Sequence, residues 1–189
     1  MRRIGIITVW GVLGVMLVLI GGCATKTVED ILISDIPPAD FSVAVTVYGP
    51  EQDPTPIHDR PRPLRPSRYI VEPDGVLRAS LGHGSAVDTF PPRTRQLTTR
   101  QMDQLWRAVR ETGLVSPDDP HRIEHAGLEI PNPHRTTAVV YIAYGGFTRF
   151  AIITIDTETD SAVATRLLID RLAALAWVRP LPSLSSADE

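Results

Sequence analysis

Residues 41–49 read FSVAVTVYG, in which Phe41, Val43, Val45 and Val47 alternate with Ser42, Ala44, Thr46 and Tyr48. A period of two marks a strand with one face in a core, so this run predicts the first strand of the domain. In RYIVEPDGVLRASL, residues 68–81, Pro73-Asp74-Gly75 separate two short β-prone runs. Proline presets the first torsion of a turn and glycine accepts a positive φ, which predicts a hairpin. The period changes in LTTRQMDQLWRAVRETGL, residues 97–114, where Met102, Leu105, Trp106 and Val109 fall on one face of a helix. Thr98 and Gln101 match a capping box, Leu97 and Met102 a hydrophobic staple, and Gly113 a left-handed stop with Leu114 folding back on Val109. Residues 136–155, TTAVVYIAYGGFTRFAIITI, are two β-branched runs joined by Gly145-Gly146, the signal for a primed turn. A second helix follows over 161–177, with Ser161 as its cap and Ala164, Leu167, Leu168, Leu172 and Leu175 as its buried face. Pro180 stops it, and residues 181–189 read as a disordered tail.

The order strand, hairpin, helix, hairpin, helix predicts an α+β domain, an antiparallel sheet of about five strands with two helices packed on one face. Three stretches lack a period. Residues 24–40, closed by Pro37-Pro38, read as a tether, and residues 82–95 read as a loop. Residues 49–68 hold six prolines and four arginines, which predicts extended polyproline-like chain on the surface. RPLRP within it looks like a ligand of SH3-type modules, but a linker loop is the reading its composition favours. Loops of this length in small domains are either linkers or binding elements.

The chain begins MRRIGIITVWGVLGVMLVLIGGC, with two arginines, an apolar run from Ile4 to Ile20, then two glycines and Cys23. A positive start, an apolar segment and a small-residue exit follow the order of a secretory signal. Ile20-Gly21-Gly22-Cys23 resembles the lipobox of bacterial lipoproteins. The resemblance implies diacylglyceryl attachment to the Cys23 thiol, cleavage before it and acylation of the new amino terminus. Several acyl chains on one residue anchor a protein stably, where a single chain binds only marginally. An uncleaved transmembrane helix is the alternative, since about 20 apolar residues span a bilayer. Both readings place the remainder outside the cytoplasm, because Arg2 and Arg3 hold the amino end inside. Ala24, not aspartate, after the cysteine implies the outer membrane facing the periplasm, by analogy with lipoprotein sorting.

Cys23 is the only cysteine, so the domain forms no internal disulfide and depends on its core. Loss of residues 1–22 leaves 167 residues with 17 basic and 22 acidic side chains, net −5. That length suits one domain, and that charge argues against a nucleic-acid partner. The expected organisation is a signal over 1–22, a lipidated tether over 23–40, a single domain over 41–180 and a tail over 181–189. The pairing of a YxVxxDG-like hairpin, Tyr69 to Gly75, with an LTxxQ helix, Leu97 to Leu114, resembles small bacterial lipoproteins of unknown function. That resemblance transfers no catalytic residue.

Two groupings carry candidate chemistry. His83, Ser85 and Asp88 are triad residue types, yet Ser85 lacks the flanking glycines of a nucleophile elbow. His121, Glu124 and His125 match the H-x-x-E-H pattern of inverted zinc metalloproteases, and His134 offers a further ligand. No downstream helix supplies the third ligand of that family. The reading is therefore an envelope lipoprotein whose domain binds or assembles, without catalysis, metal or cofactor. Its partners are the membrane, through the lipid, and an envelope protein or an anionic polymer. A metal-dependent hydrolase using His121, Glu124 and His125 is the alternative. Cys23→Ser is expected to abolish lipid labelling and signal cleavage together. Equal membrane retention with unchanged mobility in gels would instead favour the transmembrane anchor.

Overall fold

The computed structural model describes residues 27–50, 54–82, 90–115 and 132–176. Their elements in chain order are α1 (Val28–Ile33), β1 (Ser42–Tyr48), β2 (Ser67–Val71), β3 (Val76–Leu81), β4 (Arg93–Gln96), α2 (Thr99–Glu111), β5 (Thr137–Tyr144), β6 (Phe147–Thr154) and α3 (Asp160–Ala176). The six strands form one antiparallel sheet in the order β4-β3-β2-β1-β5-β6. This is an α+β fold, with one strand and one short helix beyond the expected set.

The alternation in β1 places Val43, Val45 and Val47 in the core. Both hairpins form as their turn residues require. Gly75 takes φ +82°, and its amide donates to the Glu72 carbonyl at 2.9 Å, closing the Pro73-Asp74 turn. Gly145 and Gly146 take φ +58° and +82°, the left-handed pair of a primed turn. Helix α2 carries its capping box, with the Thr98 hydroxyl accepting from the Gln101 amide and the Gln101 side chain accepting from the Thr98 amide. Met102, Leu105, Trp106 and Val109 are buried, and Gly113 has φ +72°.

Three expectations are corrected. First, residues 93–96 form strand β4, although Arg93, Thr94, Arg95 and Gln96 show no apolar alternation. This strand lies at the sheet edge and is fastened by polar groups: Thr94 Oγ1 donates to the Leu77 carbonyl at 3.1 Å and Gln96 Nε2 to the Asp74 carbonyl at 2.6 Å. Second, the buried stripe of α3 is Ala162, Thr165, Leu168, Ile169 and Leu172, and Leu167 is 64% exposed. The stripe rotates because Thr165 satisfies its hydroxyl within the helix, donating to the Ser161 carbonyl at 2.7 Å, and so can be buried. The amide of Ala162 is taken by Thr159 Oγ1, so Thr159 caps the helix and Ser161 lies inside it.

Third, the segment expected as a tether is folded from residue 27 onward. Six residues of helix are too few to persist alone, so α1 depends on what it touches. Ile31 enters the core cluster. Trp106 Nε1 donates to the Ser34 carbonyl at 2.8 Å, and Arg110 Nη1 donates to the Leu32 carbonyl at 2.8 Å. The Asp40 carboxylate accepts the Gly145 and Gly146 amides at 2.6 Å each. Gly145 is required twice, since a Cβ there would stand 2.3 Å from Ile31 Cδ1 in a backbone of positive φ.

The indole of Trp106 also packs edge-on against Phe41 at 5.0 Å between centroids and lies 5.8 Å from Tyr144. Trp106→Ala is expected to cost about 3–5 kcal/mol, measured by denaturant unfolding. A midpoint that hardly moves would place the indole outside the core.

Two carboxyls predict acid sensitivity. Burial raises Asp40, but the amides of Gly146, Gly145 and its own residue outweigh it and hold the group below its usual 3.8. Hydrogen bonds from Arg135 lower Asp156 against the opposing effect of burial, with the Thr136 amide adding to the lowering. A carboxyl lowered by folding adds stability that is complete above its unfolded pKa and is lost as pH falls through the folded value. The melting temperature is therefore expected to fall below about pH 4 and to fall less steeply in the Asp40→Asn, Asp156→Asn double variant. An identical acid slope in that variant would contradict the assignment.

Candidate functional site

The proline-rich segment is a folded brace, not a solvated strip. Pro56 and Pro61, held extended, each precede a single 3-10 turn, Ile57–Asp59 and Arg62–Leu64. Arg60 is only 5% exposed, and its Nε and Nη2 donate to the Thr55 carbonyl at 3.1 and 3.0 Å. Arg65 locks the two turns together, Nε donating to the Arg60 carbonyl at 2.9 Å and Nη2 to the His58 carbonyl at 2.8 Å. Gly49 permits this packing, because a Cβ there would meet Arg60 Nη1 and Pro66 Cγ at 2.9 Å. Leu64 packs on the core. The four arginines of the loop therefore do not form one basic face: Arg60 is internal, and Arg68 stands beside Tyr48 on the opposite side of the sheet.

Arg62 and Arg65 remain at the mouth of a cleft of about 440 Å³. Tyr69, Ala79, Leu81 and Thr94 from the sheet and Ala173 and Ala176 from α3 complete its lining. Three alanines where strands and helix approach leave the space, and Leu81, 69% exposed, forms an apolar rim. Burial raises the Tyr69 phenol above its usual value, with the Asp170 carboxylate adding to the rise and a hydrogen bond with Ser67 and the charges of Arg62 and Arg65 opposing it, so its proton is held at neutral pH. Among the described residues no carboxylate pairs with Arg62 or Arg65. The lining contains no carboxylate, histidine or cysteine. Two guanidinium groups over an apolar floor suit an anionic group with an apolar flank.

The cleft lies at the end of the strands away from α1. Leu81 pairs with Ser67, which pairs with Val47 near the end of β1, whereas Asp40, just before β1, holds the turn at Gly145 and Gly146.

Cys23, the triad types His83, Ser85 and Asp88, and the motif His121, Glu124 and His125 lie outside the described residues. His134 is exposed, and its amide donates to Asn132 Oδ1 at 2.9 Å, an Asx turn. Among the described residues no three of His, Cys, Asp and Glu converge as a metal site. Nothing in the sequence marks Tyr69, Ala79, Ala173 and Ala176 as site residues, since a cleft made of small residues exists only once strand and helix meet. No family model matches this chain, and the comparison with curated proteins finds no relative.

Proposed function

We propose that this chain is a lipoprotein of the bacterial envelope, anchored through Cys23, whose domain binds an anionic envelope partner without catalysis. The observation that supports this reading is the pair of guanidinium groups, Arg62 and Arg65, over an apolar cleft, neither paired with a carboxylate among the described residues, in a chain with net charge −3. An acidic protein repels polyanions at long range, so a basic cleft on it selects those that also fit at close range. Arg65 is held in place by two backbone carbonyls and presents a fixed charge, while exposed Arg62 adapts to the ligand. The Tyr69 phenol and the alanine walls then favour partners whose anionic group is carried on an apolar surface.

Arg62→Glu reverses the charge of a side chain that takes no part in the hydrogen bonds of the brace. It is expected to weaken binding of a polyanion such as dextran sulfate about tenfold at low ionic strength, with the loss shrinking at higher salt as screening rises. The melting temperature is expected to stay unchanged. Binding that is equal in wild type and variant would remove the cleft as the site.

A further inference from the structure

Two large apolar side chains on the amino-terminal segment have no cover: Ile33 is 79% exposed and Ile36 75% exposed. Scattered apolar side chains on a surface are ordinary. These two differ in standing three residues apart, one at the end of α1 and one just before Pro37-Pro38, on a segment fixed to the domain. The carbonyls of Leu32 and Ile33 accept from Arg110, and the Ser34 carbonyl accepts from Trp106, so the backbone between the isoleucines is held while both side chains point into solvent.

What covers them follows from the length of chain that precedes them. Only four peptide steps separate Cys23 from Thr27, where the folded segment starts. Fully extended, four steps span at most about 14 Å. With Cys23 in the lipid, α1 cannot stand further than that from the headgroups. We propose that Ile33 and Ile36 enter the interface of the membrane that holds Cys23, so that the domain is docked on the lipid surface in one orientation. This inference rests on the lipid anchor in the reading above.

The nearby charges suit a zwitterionic surface. Asp35 is paired with Arg110, and the Asp30 carboxylate accepts from the amide and hydroxyl of Thr27 in the capping box, which leaves exposed Glu29, one turn before Ile33 on the same face of α1, at the level of the headgroups. Proline at 37 and 38 and the grip of Asp40 on the Gly145–Gly146 turn pass this orientation to the sheet. The arginine cleft, at the other end of the strands, then faces away from the membrane.

The test uses the full lipidated chain in phosphatidylethanolamine–phosphatidylcholine vesicles. Since Cys23 is the only cysteine and its thiol is consumed by the lipid, Ile33→Cys, Ile36→Cys and Leu81→Cys each supply a single site for an environment-sensitive dye. The mass of the amino-terminal peptide first establishes acylation of Cys23, which tests the anchor by itself. With acylation present, dye at 33 and 36 is expected to give blue-shifted emission that nitroxide-labelled lipid quenches, while dye at 81, equally apolar in origin, stays aqueous. Aqueous emission at 33 and 36 on an acylated chain would overturn the docking and leave the anchor standing. Blue-shifted emission at 81 as well would overturn the single orientation. A chain without acyl groups would overturn the anchor and the docking together.

Discussion

One indole ties the structure together. Trp106 sits where the sheet, α2 and the amino-terminal segment meet, touching Phe41 and Tyr144 with its ring and the Ser34 carbonyl with its N–H. A tryptophan can be fully buried only where its N–H finds an acceptor, and here the acceptor is a carbonyl freed by the end of α1. The arrangement is reciprocal. The helix end needs a donor, the indole needs an acceptor, and Arg110 stacks near the same ring while bonding the neighbouring carbonyls. A six-residue helix that would melt in isolation is thereby made part of the domain.

That junction gives the protein two ends. At one, α1, the Asp40 carboxylate and the diglycine turn interlock next to the stretch that leads to Cys23. At the other, the proline-rich brace holds Arg62 and Arg65 over a cleft floored by Tyr69. In the brace Arg60 and Arg65 each donate to backbone oxygens of the loop they stabilise. The charge of Arg65 is thus solvated by backbone dipoles, and no carboxylate among the described residues pairs with it, which is what a site for an anion needs. In the function we propose, the lipid anchor and the binding surface belong to opposite ends of one sheet.

Legibility in the sequence tracked the range of the forces involved. Elements set by local chemistry were read correctly: β1 from its alternation, both hairpins from Gly75 and Gly145-Gly146, and α2 from Thr98, Gln101 and Gly113. Elements set by tertiary partners were not. The sequence of β4 is polar because an edge strand needs no core face, and α1 looked like tether because what holds it lies on α2 and at a turn more than a hundred residues away. The face of α3 is not legible because Thr165 is buried with its hydroxyl satisfied one turn back, so a polar letter stands at a core position. Arg60 illustrates the same limit: nothing in RPRPLRP tells which arginine turns inward. The cleft was invisible for a related reason, being a gap between alanines on separate elements.

Residues 27–41 are part of the folded domain, held there by Trp106. Amide hydrogen exchange tests this directly, because the Ile31 amide bonds to the Thr27 carbonyl and the Ser34 amide to the Ile31 carbonyl only if α1 is formed. These two amides are expected to exchange far more slowly than free chain, and Trp106→Phe, which keeps an aromatic ring of smaller size but removes the N–H, is expected to release them while β1 stays protected. Exchange at the rate of unstructured peptide in the unmodified protein would contradict it and return the segment to a loose tether.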